Sequence, residues 1–149
     1  DACRALGAEL ALDRRDPAWP ARLRDAWDGV DVILDMVGAD TSAAAFELLD
    51  TGGRLVWIAA LSGSRLEIDV RTLMRGRLTL KGSTLRSRPL AEKITLRDAF
   101  LARFGGDLEL GRIVPVIHEV LPVEEAERAH GLLRADATIG KVVLRVGDS

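Results

Sequence analysis

The runs VDVILDMVG (Val30–Gly38) and RLVWIAAL (Arg54–Leu61), with TSAAAFELLDTGG (Thr41–Gly53) between them, decide the fold of this chain. The two outer runs are near-continuous apolar stretches of strand length, as in strands buried on both faces. The middle one reads as a helix, with Thr41 or Ser42 at its N-cap and Gly52-Gly53 as its stop. Strand, helix and strand in that order make a βαβ unit of a parallel sheet. Such sheets bind ligands outside the C-terminal ends of their strands. Here those ends are Met36-Val37-Gly38 and Ala59-Ala60-Leu61-Ser62. No G-x-G-x-x-G loop accompanies the unit anywhere in the sequence.

Upstream of this unit, Asp1–Leu6 has helical spacing and Gly7 stops it. Leu10–Asp13 reads as a short strand. Asp16 is placed to cap a helix with Pro17 at its first position, and Trp19, Leu23, Ala26 and Trp27 share one face of it before Gly29. Downstream, Ser62–Val70 reads as a loop, Thr72–Met74 as one helical turn, and RLTLKGST (Arg77–Thr84) as a strand. That strand alternates, which suits a sheet edge. A helix is expected within Ser87–Gly105, a strand over Arg112–Val120, a helix from Pro122 to about Ala135 and a closing strand over Lys141–Val146. The elements become shorter and more polar near Gly111, where a boundary is expected.

The whole is an α/β protein with four parallel strands before residue 85: Leu10–Asp13, Asp31–Met36, Leu55–Ala60 and Leu78–Gly82. In the doubly wound order 3-2-1-4-5-6, a chain entering at a helix supplies strands 3 to 6. Strands 3 and 4 are not neighbours in that order, so such a piece leaves unpaired edges. The chain opens on Asp1 rather than Met, inside a helical pattern, and is expected to be a fragment of a longer protein, incomplete as an enzyme.

With 149 residues, 48% of them hydrophobic, and a net charge of −2, the composition is that of a globular protein without a nucleic-acid or polybasic membrane footprint. No apolar run approaches the roughly 20 residues of a membrane span. Cys3 is the single cysteine, so no disulfide framework exists and a cytoplasmic location is expected. His118 and His130 are the only histidines. Together with Cys3 they are too scattered for a zinc site, and no metal site is expected.

Leu6-Gly7-Ala8-Glu9, VDVILDMVG, GGRLVWIAALSG, LTLKGSTLRSR, GRIVPVIHEVLPVEEAERAHGLL and IGKVVLRV follow one another along the chain. In that order they resemble the C-terminal half of zinc-independent quinone oxidoreductases, within the medium-chain dehydrogenase/reductase superfamily. The resemblance implies a partial Rossmann domain over 1–110 and, over 111–149, the segment that returns to a GroES-like substrate domain. It further implies hydride transfer from NADPH, with NADH as the alternative, to a quinone or conjugated carbonyl, and a homodimer paired through the edge of the sixth strand. An enoyl reductase, including one within a polyketide synthase, is the nearest alternative, and a non-catalytic truncated dimerisation module is another.

The resemblance places Met36, Val37 and Gly38 beside the nicotinamide ribose. It places Ile58, Ala59, Ala60, Leu61 and Ser62 at the nicotinamide carboxamide, and Ser83, Thr84 and Leu85 flanking the ring. Arg14 stands near the adenosine phosphate, either as a fork for a 2′-phosphate or as a solvated surface residue. Asp136 matches a position near the cofactor, or is a polar turn residue. Asp35 reads as a structural hydrogen-bond acceptor. No catalytic acid is assigned.

Overall fold

The computed structural model describes residues 2–135 and 138–147. The chain divides into two compact units, Cys3–Pro89 and Leu90–Ser149. In the first, helices α1 (Ala2–Ala5) and α2 (Trp19–Ala26) precede strand β1 (Val30–Asp35), helix α3 (Ala39–Leu48), strand β2 (Leu49–Trp57), helix α4 (Val70–Gly76) and strand β3 (Thr79–Gly82). The three strands form one parallel sheet in the order β1-β2-β3. This is the βαβ unit expected from the sequence, continued by one further strand.

The register explains the core. Ile33, Leu55 and Leu80 lie side by side across the sheet, and Asp35, Trp57 and Gly82 form the next row but one. Side chains two residues apart share a face, so both rows look the same way. Against that face α3 sets Ala45 and Phe46, which form the core cluster with the fully buried Leu55. Ile33, Leu49, Trp57, Ile68, Leu73 and Leu80 pack around it. The Phe46 ring meets Trp57 edge-on, at 6.1 Å and 75°.

Several expectations are corrected. Leu10–Asp13 is not a strand: those residues are irregular. No strand of the sheet lies beside them, and an extended segment without a ladder partner is not held as a strand. Burial of the apolar runs on both faces also fails, since Val32, Leu34 and Met36 are 52%, 60% and 49% exposed. Ala45 and Phe46 of α3 and Leu73 of α4 belong to the cluster on the other face.

Helix boundaries shift as well. Gly38, not Thr41 or Ser42, occupies the N-cap of α3; the Ser42 hydroxyl donates back to Gly38 O and the Thr41 hydroxyl to Asp35 Oδ2. The helix stops at Leu48, before Gly52-Gly53, because Leu49 turns extended and pairs with Val30. Gly52, at φ 82°, lies within β2, where the register with β1 shifts. Asp16 caps the turn before α2 rather than the helix itself, with Oδ1 accepting from Ala18 N at 2.9 Å. The single turn read over Thr72–Met74 is the centre of α4, capped by Asp69, whose Oδ1 accepts from Arg71 N at 2.9 Å.

The second unit holds helix α5 (Leu90–Glu109), strand β4 (Ile117–Pro122), a 3-10 turn (Val123–Glu125), helix α6 (Ala126–Arg134) and strand β5 (Lys141–Arg145). Strands β4 and β5 pair in parallel. The first of them starts later than predicted: Pro115 has no N–H to donate, and pairing begins only where Lys141 N reaches Val116 O. Arg128 joins α6 to Glu119 on β4 at 2.6 Å and to Glu125 at 3.0 Å. Those hydrogen bonds, to Glu125 and then Glu119, raise the guanidinium pKa above its ordinary value.

Candidate cofactor site

All three strands of the first unit run the same way, so their C-terminal ends meet along one edge of the sheet. At the end of β1 the chain turns through Met36-Val37-Gly38 into α3. Buried Asp35 builds this turn. Its Oδ1 accepts from Val37 N at 2.6 Å and from Gly38 N at 3.3 Å, and its Oδ2 accepts from the Thr41 hydroxyl at 3.0 Å. Every one of these bonds is local, which supports the structural role read for Asp35.

At the end of β2, Ile58 N donates to Asp35 O at 2.9 Å. Leu61 N reaches Met36 O at 3.3 Å and Ser62 N reaches Val37 O at 2.8 Å. The Ser62 hydroxyl donates to Val37 O at 2.9 Å and accepts from Asp40 N at 3.1 Å. Gly38 and Gly63 form an isolated parallel bridge. A Cβ placed at Gly38 would lie 2.5 Å from Gly63 O and 3.0 Å from Ala60 Cα. With φ at 94°, Gly38 is therefore required by the approach of the neighbouring turn.

At the end of β3, Ser83 N donates to Trp57 O at 2.8 Å. Arg88 folds back onto this turn, with Nε donating to Thr84 O at 2.9 Å and a terminal nitrogen to the Ser83 hydroxyl at 3.4 Å.

Between the ends of β2 and β3 lies an open cleft of about 460 Å³, lined by Trp57, Ile58, Ala59, Ala60, Gly82, Ser83 and Thr84. Five residues predicted from sequence thus line one shallow cleft: Ile58, Ala59, Ala60, Ser83 and Thr84. Met36 and Val37 do not line it but are bonded to Leu61 and Ser62 beside it. Leu85 is exposed beyond the cleft, and Arg14 stands in the turn after Asp13, away from its lining. Arg15 beside it, through side-chain and then backbone hydrogen bonds, holds the Asp13 carboxyl below the ordinary aspartate value. Asp136 lies outside the described residues.

Sequence reasoning missed Trp57 and Gly82 as lining residues and Arg88 as a brace. The signal for the first two was the register itself, which sets Trp57 opposite Gly82. Trp57 is both core and lining: its Nε1 donates to Ser42 Oγ at 3.3 Å while its ring packs on Phe46.

The chemistry of the cleft suits a flat heteroaromatic ring. Ala59, Ala60 and Gly82 leave room along it, and a Cβ added at Gly82 would meet nothing within 4 Å. Ser83 and Thr84 add polar groups at one side. A more enclosed hollow of about 350 Å³ lies against β1, lined by Trp19, Leu23, Val30, Val32, Ile33, Leu34, Asp35, Thr41, Ala45 and Leu48. Its polar lining side chains, Asp35 and Thr41, are bonded to each other, which leaves little to orient a polar ligand.

The family model for zinc-binding dehydrogenases matches residues 6–144, and the chain belongs to that family. The quinone oxidoreductase of Lama guanicoe is 32% identical over 117 residues, which cover 78% of this chain and 34% of that protein. A solved mycobacterial quinone oxidoreductase is 30% identical, with a TM-score of 0.72 over 95% of this chain and 44% of that one. A solved NAD-dependent alcohol dehydrogenase is 31% identical, with a TM-score of 0.78 over 98% of this chain and 40% of that one. The chain thus spans about a third of the length of the curated quinone oxidoreductase that it matches. Although the family description names zinc, no group of three or more His, Cys, Asp or Glu among the described residues could hold a metal ion. No helix among the described residues is long and apolar enough to cross a membrane.

Proposed function

We propose that the chain is part of a longer, two-domain, cytoplasmic oxidoreductase that passes a hydride from NADPH to a quinone or another conjugated carbonyl without zinc. The reading assigns 1–110 to the nucleotide-binding domain and 111–149 to the returning segment of a GroES-like domain. The observation that carries it is the gathering of Ile58, Ala59, Ala60, Ser83 and Thr84 around one cleft at the C-terminal edge of a parallel sheet. Similarity to quinone oxidoreductases favours a quinone over an enoyl thioester as acceptor.

When bound, the dinucleotide supplies the hydride, and solvent supplies the proton that completes the two-electron reduction. The chain's part is positioning. Ala59, Ala60 and Gly82 admit the flat ring, Ser83 and Thr84 offer polar contacts at its rim, and Trp57 closes the end next to the core. Arg14 would grip a 2′-phosphate, which distinguishes NADPH from NADH. Strand β3 lies at the edge of the sheet, so its outer ladder is open to a second copy and supports a homodimer.

In the longer enzyme, Ala60→Trp fills the cleft and should abolish quinone reduction while leaving thermal stability close to wild type. Unchanged turnover would remove the end of β2 from the cofactor site. Arg14→Ala should weaken NADPH far more than NADH; equal effects on the two would make Arg14 a surface residue. Faster reduction of an enoyl thioester than of a quinone would favour the enoyl reductase reading.

A further inference from the structure

We propose that Asp35 and Ser62 are positioning residues, two pins that lock the turn after β1 to the turn after β2 and hold the nicotinamide end of the cleft in shape before a ligand arrives. The proposal rests on the reading of that cleft as the nicotinamide site.

The two cleft alanines are held from both sides. Just before them, Ile58 N is bonded to Asp35 O; just after them, Leu61 N is bonded to Met36 O. The position of Ala59-Ala60 therefore follows that of the β1 turn. Asp35 fixes that turn, since its carboxylate, 6% exposed, takes the Val37 and Gly38 amides and the Thr41 hydroxyl. A buried carboxylate so bonded is tied to one geometry, because losing any of these donors would leave it under-satisfied.

Ser62 closes the arrangement from the other side. Its hydroxyl and its own N–H both donate to Val37 O, and the hydroxyl also accepts from Asp40 N at the start of α3. Ala39 N adds a bond to Gly63 O at 3.1 Å. The Ser62 hydroxyl thus joins the first turn of α3, the β1 turn and the β2 turn. Its one O–H and one of its two lone pairs are engaged within the protein, which assigns the hydroxyl to supporting the cleft.

Ser62 is exposed, so Ser62→Ala spares the core. Hydrogen–deuterium exchange on the chain tests the coupling. Protection in Ser62→Ala should fall about five- to tenfold at Asp40, whose acceptor is removed, and also at Val37, Ala39 and Leu61, with Leu55 unchanged. Loss confined to Asp40 would overturn the proposal. Asp35→Asn keeps one acceptor oxygen for the turn amides and should give the same pattern in weaker form; no change at Val37 and Gly38 would remove Asp35 as a pin.

In the longer enzyme, Ser62→Ala should lower kcat about tenfold while KM for NADPH stays within about twofold, because a misplaced ring costs rate more than binding. Ser62→Thr keeps the hydroxyl and should restore both exchange and kcat. Coupled loss of protection with an unchanged kcat would overturn the positioning role and count against the cleft as the nicotinamide site. Unchanged protection beside a lowered kcat would overturn the pins and leave the cleft reading standing.

Discussion

The two faces of the three-stranded sheet are built from the same apolar strands and meet different fates. On one, Leu55 is fully buried beneath Ala45 and Phe46 of α3, with Ile33 and Leu80 on either side. On the other, Val32 and Leu34 of β1, Met36 just after it and Ile58 after β2 are between 46% and 60% exposed. Apolar sequence makes a strand fit to be covered; a helix laid across it does the covering. The cleft at the strand ends takes its support from the first face and from the turns that Asp35 organises.

The largest effect should come from breaking the covered face. Leu55→Ala is expected to cost about 2–5 kcal/mol, the range for emptying a packed leucine site. Leu34→Ala, on the open face, should stay within about 0.5 kcal/mol. Urea unfolding of the two variants checks the contrast, and equal losses would erase the distinction between the faces.

Next comes the edge where β1 and β2 end. Gly38→Ala forces a Cβ against Gly63 O and Ala60 Cα at a φ of 94°. A cost of about 1–3 kcal/mol is expected, from strain and from separation of the two turns. Thermal unfolding measures it, and a neutral result would mean that the turns part without penalty.

The third test concerns association through the free edge of β3. Ser83 N–H bonds to Trp57 O, so by strand alternation the N–H groups of Lys81 and Thr79 also face β2 and that of Leu80 faces outward. Leu80→Pro should therefore weaken pairing with a second copy through loss of an outward donor and also loosen the core, where its side chain packs beside Leu55, whereas Thr79→Pro should break the ladder to β2. Sedimentation of both variants beside wild type separates these outcomes. A strictly monomeric wild type would leave the dimer without support.

What was legible in the sequence follows from the same physics. The βαβ unit showed because its strands are apolar runs and the stretch between them has helical composition. The residues that line the cleft were named because ligand sites of parallel sheets fall at the strand ends, and the resemblance pointed to the ends of β2 and β3. The failures were failures of context. Leu10–Asp13 has strand composition but no strand beside it, and composition alone does not supply a partner. The exposure of Leu34 and Met36 depends on where the helices lie, which an apolar run does not reveal. The N-cap of α3 was misjudged because Thr41 and Ser42 spend their hydroxyls behind them, on Asp35 Oδ2 and Gly38 O, rather than on amides ahead. The committed hydroxyl of Ser62 was hidden too, since its partners Val37 and Asp40 lie 25 and 22 residues away.

The claim that the C-terminal edge of the sheet receives the nicotinamide is tested most directly by titrating NADPH into the isotopically labelled chain and following backbone amide resonances. Affinity should be weak, in the millimolar range, because the sequence has no glycine-rich phosphate loop to bind the pyrophosphate. The shifts should nevertheless concentrate at Ile58–Ser62 and Ser83–Leu85, with smaller ones at Val37 and Gly38. Shifts confined to Trp19, Leu23 and Val30 around the apolar hollow, with none at the strand ends, would contradict it.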